Sequence, residues 1–98
     1  MDSPRPGHPG HHERVDGNAA GGVLMEIFGR DMTDARASCA HCDREAALGD
    51  AVAELDPAGA ILLCRGCGRT LLTCLRRDGR YTLEFSALER LEWRSDRD

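Results

Sequence analysis

Two short cysteine pairs, Cys39-Ala40-His41-Cys42 and Cys64-Arg65-Gly66-Cys67, constrain this chain more than anything else in it. Two residues between cysteines allow a tight turn to aim both sulfurs at one point, and two such turns supply a tetrahedral thiolate set. The twenty-one residues that separate the pairs suit a hairpin that returns the first pair to the second. Gly66 and Gly68 flank Cys67, so the backbone there can turn its N–H groups toward sulfur. Asp43 follows the first pair where a glycine would be more usual, and aspartate tolerates the left-handed conformation better than most residues.

A chain of this size needs such a staple. Of its 98 residues, the first sixteen carry three of the four prolines and few apolar side chains, and read as a disordered tail. The remainder holds only four aromatics, Phe28, Tyr81, Phe85 and Trp93. Small cores of this kind usually need a metal, a disulfide or a partner. Met1–Pro6 offers no apolar leader core, so the expected location is cytoplasmic, where thiols stay reduced and ligate metal. The expected cofactor is one Zn²⁺ per chain on Cys39, Cys42, Cys64 and Cys67. Iron in a rubredoxin-like electron carrier would use the same ligands and stays open. A redox dithiol would need a βαβ setting that neither pair has, and two disulfides would need an oxidising compartment.

Cys74, the fifth cysteine, falls within an alternating apolar run and reads as packing rather than as a nucleophile. His41 reads as a solvated loop position. The cluster His8, His11 and His12 lies in the tail and would bind metal only weakly.

Secondary structure follows from period and punctuation. Ala20, Val23, Leu24, Ile27 and Phe28 recur at helical spacing, with Asp16 or Asn18 as cap and Gly29 as terminator. Asp31–Asp34 reads as a turn or a short second helix capped by Thr33. Ala46–Leu55 reads as one strand, Asp56–Gly59 as a turn, and Ile61–Leu63 and Thr70–Arg76 as strands. Asp78-Gly79 signals a hairpin. In the next strand Tyr81, Leu83 and Phe85 alternate with Thr82, Glu84 and Ser86, which predicts one buried face, and Leu88–Trp93 adds a last strand or turn. The expected architecture is a small α+β fold: a zinc ribbon of antiparallel β-hairpins around a four-cysteine site, with an N-terminal helix. Its divisions are a tail over residues 1–16, a helical segment over 17–36, the ribbon over 37–93 and a second tail over 94–98.

The run Asp16-Gly17-Asn18-Ala19-Ala20-Gly21-Gly22, then Leu24, Glu26, Phe28, Asp31-Met32-Thr33 and Ala35, followed by both cysteine pairs, resembles a family of short actinobacterial zinc-ribbon-like proteins, a domain-of-unknown-function family. The resemblance spans roughly residues 16–93. It implies a cytoplasmic zinc ribbon with an N-terminal helix and no established activity, and Cys74 is not part of its pattern.

Function is less constrained. Four cysteines close a metal site to water, and neither a phosphate loop nor a nucleophile–base pair is present, so an enzyme is not expected. The first expectation is a zinc-stabilised interaction or regulatory module. Its candidate docking face, for a protein partner or a second copy, is Val23, Leu24, Ile27 and Phe28. The alternative is contact with nucleic acid or transcription machinery. Residues 64–80 carry Arg65, Arg69, Arg76, Arg77 and Arg80 against one acid, in a chain whose formal net charge is −4. Neither a membrane nor a small-molecule substrate is indicated.

Overall fold

The computed structural model describes residues 13–95. Strand β1 (Glu13–Asp16) leads through a 3-10 turn (Gly17–Ala20) into the helix α1 (Gly21–Phe28). Then follow β2 (Arg36–Cys39), β3 (Glu45–Ala47), a second 3-10 turn (Leu48–Asp50), β4 (Val52–Asp56), β5 (Gly59–Leu63), β6 (Thr70–Arg77), β7 (Arg80–Phe85) and β8 (Leu88–Glu92). Five strands form one antiparallel sheet in the order β1-β4-β5-β6-β7, and three form a second in the order β3-β2-β8. The fold is therefore a small α+β arrangement with one short helix, as expected.

Local chemistry explains the hairpins. Asp56 Oδ1 accepts from the N–H groups of Ala58 (2.7 Å) and Gly59 (3.1 Å) and holds the turn from β4 to β5. Asp78 and Gly79 both take positive φ (52° and 77°), the primed geometry that matches the twist of the flanking strands β6 and β7. Gly29 ends α1 in the left-handed conformation (φ 75°), its N–H donating to the Met25 carbonyl at 2.7 Å.

The strand registers align Val15, Ala53, Leu62, Leu72 and Phe85 across the large sheet, and Leu55, Ala60, Cys74 and Leu83 in the next row on the same face. Helix α1 covers this face. Leu24 is fully buried in the shared core, and the Glu26 carboxylate accepts from the Arg76 guanidinium and from the Tyr81 hydroxyl (2.8 Å). Leu24, Met32, Leu48, Leu62, Leu72, Cys39 and Cys74 are the largest fully buried side chains. Around them Ala20, Ala35, Ala37, Ala51, Ala53 and Ala60 allow close approach but contribute little buried area.

Several expectations are corrected. The tail expected over residues 1–16 does not extend to its last four residues: Glu13–Asp16 is an edge strand on β4, with Val15 opposite Ala53 and Arg14 Nε 2.9 Å from Glu54 Oε2. With only Val15 apolar it carries no strand signal of its own, and its order comes from the backbone edge of β4. The tail reading of residues 1–12, including the histidine cluster, lies outside the described residues, as do residues 96–98 of the C-terminal tail. Helix α1 has no side-chain cap. Ala20 stands at its entry and the 3-10 turn leads into it, while Asn18 packs against Gly49. Thr33 starts no second helix, because its N–H and hydroxyl both donate to Asp31 Oδ1 (2.9 and 2.6 Å).

The strand expected over Ala46–Leu55 is two strands in two different sheets. Between them, Leu48 and Gly49 bond to the Ala35 and Thr33 carbonyls (2.7 and 2.9 Å), and this turns the chain from β3 into β4. Finally, the Tyr81-Leu83-Phe85 face is only partly covered. Leu83 is half-buried, but Tyr81 is 46% and Phe85 60% exposed. Strand β7 ends the sheet, and the eight-residue α1 spans only about 12 Å, too short to shield the edge.

Two glycines give opposite expectations. A Cβ at Gly59 would run into the Cys74 carbonyl, whereas at Gly22, exposed in α1, it meets nothing within 4 Å. Gly59→Ala should destabilise the protein by about 1–3 kcal/mol, and Gly22→Ala should stabilise it by roughly 0.5–1 kcal/mol. Thermal melts of the two variants beside the parent protein check both signs.

Candidate metal centre

The two cysteine turns are the same structure built twice. The first leaves β2 at Cys39 and the second leaves β5 at Cys64. In the first, the Cys39 N–H donates to the Arg44 carbonyl (2.9 Å) and the Asp43 N–H to the Cys39 carbonyl (2.8 Å). In the second, the Cys64 N–H donates to the Arg69 carbonyl (2.8 Å) and the Gly68 N–H to the Cys64 carbonyl (2.8 Å). Asp43 (φ 66°) and Gly68 (φ 83°) occupy the same left-handed position, so aspartate does serve where glycine was anticipated. The Arg44 N–H then bonds to the Cys42 sulfur and the Arg69 N–H to the Cys67 sulfur.

These turns bring the four sulfurs of Cys39, Cys42, Cys64 and Cys67 within 4.8 Å of one another. The Cys39–Cys67 separation is 3.7 Å and the Cys42–Cys64 separation 3.6 Å. Four sulfurs placed tetrahedrally at 2.3 Å around a zinc ion would stand about 3.8 Å apart. The set therefore fits a single ion of that size, with each pair of close sulfurs drawn from both turns. Cys39 and Cys64 are buried, Cys67 is half-buried and Cys42 is exposed, so the site lies at the surface with its inner half in the core.

The electrostatics point to a cation. Burial opposes ionisation of Cys64, yet the N–H groups of Cys67 and Gly66 and the thiols of Cys42 and Cys67 favour its thiolate and bring it down to about 7. For Cys42 the Arg44 N–H favours the thiolate, but burial and the thiols of Cys64, Cys67 and Cys39 outweigh it and push the group up to about 11. Cys42 and Cys64 are thus driven in opposite directions, and a bound cation would favour both as thiolates, the form that ligates metal.

The arginines expected as one basic block divide in the structure. The Arg65 guanidinium spans to the carbonyls of Asp50 (2.7 Å) and Ala51 (3.4 Å) and to Asp16 (3.4 Å), tying the second turn to β1 and the 3-10 turn before β4. Arg76 is held by Glu26. Arg69 stands at the metal end of β6 and Arg76, Arg77 and Arg80 at the other, roughly 20 Å away at the rise of a strand. The basic block is thus two separate groups. Arg44 was overlooked: its stem lies over Gly66, where a Cβ would come within 3.0 Å of Arg44 Cδ and 3.6 Å of the Cys42 and Cys64 sulfurs. The signal was legible, since both turns read C-x-x-C-x-R.

The other candidates fall into place around the centre. Among the four residues of the helix stripe, Leu24 is fully buried and Val23, Ile27 and Phe28 pack partly buried against the core. Phe28 also meets the Trp93 ring edge-on (centroids 6.1 Å apart). The stripe is mainly internal packing, and Met25, 48% exposed, is the apolar residue that α1 presents to solvent. Cys74 is fully buried on β6, and burial pushes its thiol up to about 11, so it stays neutral and packs. His41 is exposed and outside the sulfur set.

Among the described residues no helix is long and apolar enough to cross a membrane. Comparison with curated proteins and with solved structures gives no match. The model of one protein family, described as a family of unknown function (DUF6510), matches residues 10–96, and the chain belongs to that family.

Proposed function

We propose that Cys39, Cys42, Cys64 and Cys67 hold one Zn²⁺ as a closed structural site, and that the chain is a zinc ribbon serving as a protein-interaction or regulatory module in a reducing, cytoplasmic setting. The observation that carries this reading is the sulfur geometry, 3.6–3.7 Å between the close pairs against about 3.8 Å for tetrahedral zinc. Four thiolates fill the coordination sphere and leave no position for an activated water, so the metal's role is to hold the fold rather than to catalyse. The function then resides on the surface, where Tyr81, Phe85, Trp93 and Met25 are the large apolar side chains most open to a partner. Nucleic-acid contact has less support: Arg65 and Arg76 are engaged internally, and the remaining arginines are split between the ends of β6.

Metal analysis of the purified protein should give about one zinc per chain. A visible absorption band with iron in its place would change the reading to a rubredoxin-like carrier. Chelation, or Cys64→Ser, should abolish cooperative unfolding. Structural zinc binds with roughly 10–16 kcal/mol, about as much as the whole net stability of a domain. A metal-free protein that melts like the metal-bound one would sink the structural role. Cys74→Ala serves as the contrast: it should keep the full metal complement and lose about 1–2 kcal/mol through the cavity it leaves.

A further inference from the structure

Strand β7 closes one side of the large sheet, and among the described residues nothing pairs with its outer edge. The hairpin register sets Arg77 opposite Arg80 across a two-residue turn. In such a hairpin the backbone groups of Arg80, Thr82 and Glu84 face β6, and those of Tyr81, Leu83 and Phe85 face outward. Apart from the charges of Arg80 and Glu84, the devices that commonly blunt an edge are missing here. β7 contains neither proline nor lysine, and its pairing with β6 runs without a bulge.

The side chains on this edge are unsettled in two ways. On one face Tyr81 and Phe85 are 46% and 60% exposed. On the other, Arg80 stands directly opposite Arg77, a like-charge pair that disfavours the hairpin. Among the described residues neither Arg80 nor Glu84 forms a side-chain hydrogen bond or ion pair.

We propose that β7 pairs antiparallel with β7 of a second copy about a two-fold axis through Thr82, joining two five-stranded sheets into one. Edge pairing requires outward backbone groups to meet outward groups, which allows registers centred on Thr82 or on Leu83. The Thr82 register sets Arg80 opposite Glu84 of the second copy, and the symmetry repeats the pair. It also sets Tyr81 opposite Leu83 of the second copy. Each Arg80 then lies between Arg77 of its own chain and a carboxylate of the other, so the repulsion within the hairpin is offset. The Leu83 register would place Arg80 opposite Ser86 and leave that repulsion in place. A pairing of a few residues per chain forms a small interface, so the dimer is weak and reversible.

This inference rests on the metal-held fold proposed above, because β6 and β7 leave the second cysteine turn directly. Sedimentation equilibrium on the full-length, metal-loaded chain, over a concentration series reaching hundreds of micromolar, should show a monomer–dimer equilibrium. Arg80→Glu and Glu84→Arg should each weaken it by about 10-fold, by replacing attraction with repulsion. The double swap Arg80→Glu/Glu84→Arg should restore it, with metal content and circular dichroism matched in every sample. A fully metallated parent chain that stays monomeric throughout would overturn the dimer while leaving the zinc reading standing. A dimer indifferent to both single changes would overturn it too, since the Thr82 register could not then be the contact.

Discussion

The gathering of four sulfurs within 4.8 Å of one another, a set that could hold a metal ion, is the constraint on which this architecture turns. Cys39 ends a strand of the small sheet and Cys64 directly follows a strand of the large one, so the sulfurs meet where the two sheets meet. Other ties across that joint are backbone bonds, Ala40 to Ala87 (2.7 Å) and Ser86 and Ala87 to Leu71 and Thr70 (2.9 Å each). The core offers modest help, because six of its buried positions are alanine and each contributes little apolar area. A fold so sparsely filled would gain more from one ion at its joint than from any single side chain in its interior.

The parts legible in the sequence were those with short-range causes. The C-x-x-C spacing located the sulfurs, Asp78-Gly79 specified its hairpin and Gly29 ended its helix, because each effect acts within four residues. What stayed hidden depended on residues far apart in the chain. Glu13–Asp16 is ordered by an edge supplied by Val52–Leu55. The break inside Ala46–Leu55 comes from carbonyls at Thr33 and Ala35. Alternation in Tyr81–Phe85 identified which residues share a face, but coverage of that face was decided by where α1 ends and by the position of β7 in the sheet.

The arginines teach a related point. Counting charge along residues 64–80 suggests one basic surface, yet a strand separates by its length what the sequence places side by side. Arg65 and Arg76 are structural: the first fastens a cysteine turn to backbone carbonyls, and the second fastens the hairpin to α1 through Glu26. At Arg44 and Arg69 the main chain serves the site, through N–H groups aimed at sulfur and carbonyls that close the turns. Residue type alone does not distinguish these roles.

Strand β2 holds the centre of the small sheet, with β3 a few residues downstream on one side and β8 at the far end of the chain on the other. The β4–β7 meander between them is built from neighbouring hairpins and carries Cys64 and Cys67 on its own. Local pairings form at lower entropic cost than distant ones. Assembly therefore has a direction: the meander and the β2–β3 hairpin each present half of the sulfur set, and β8 locks the small sheet last. During synthesis the final closure waits for β8, because Arg36 has no partner there until Glu92 has emerged.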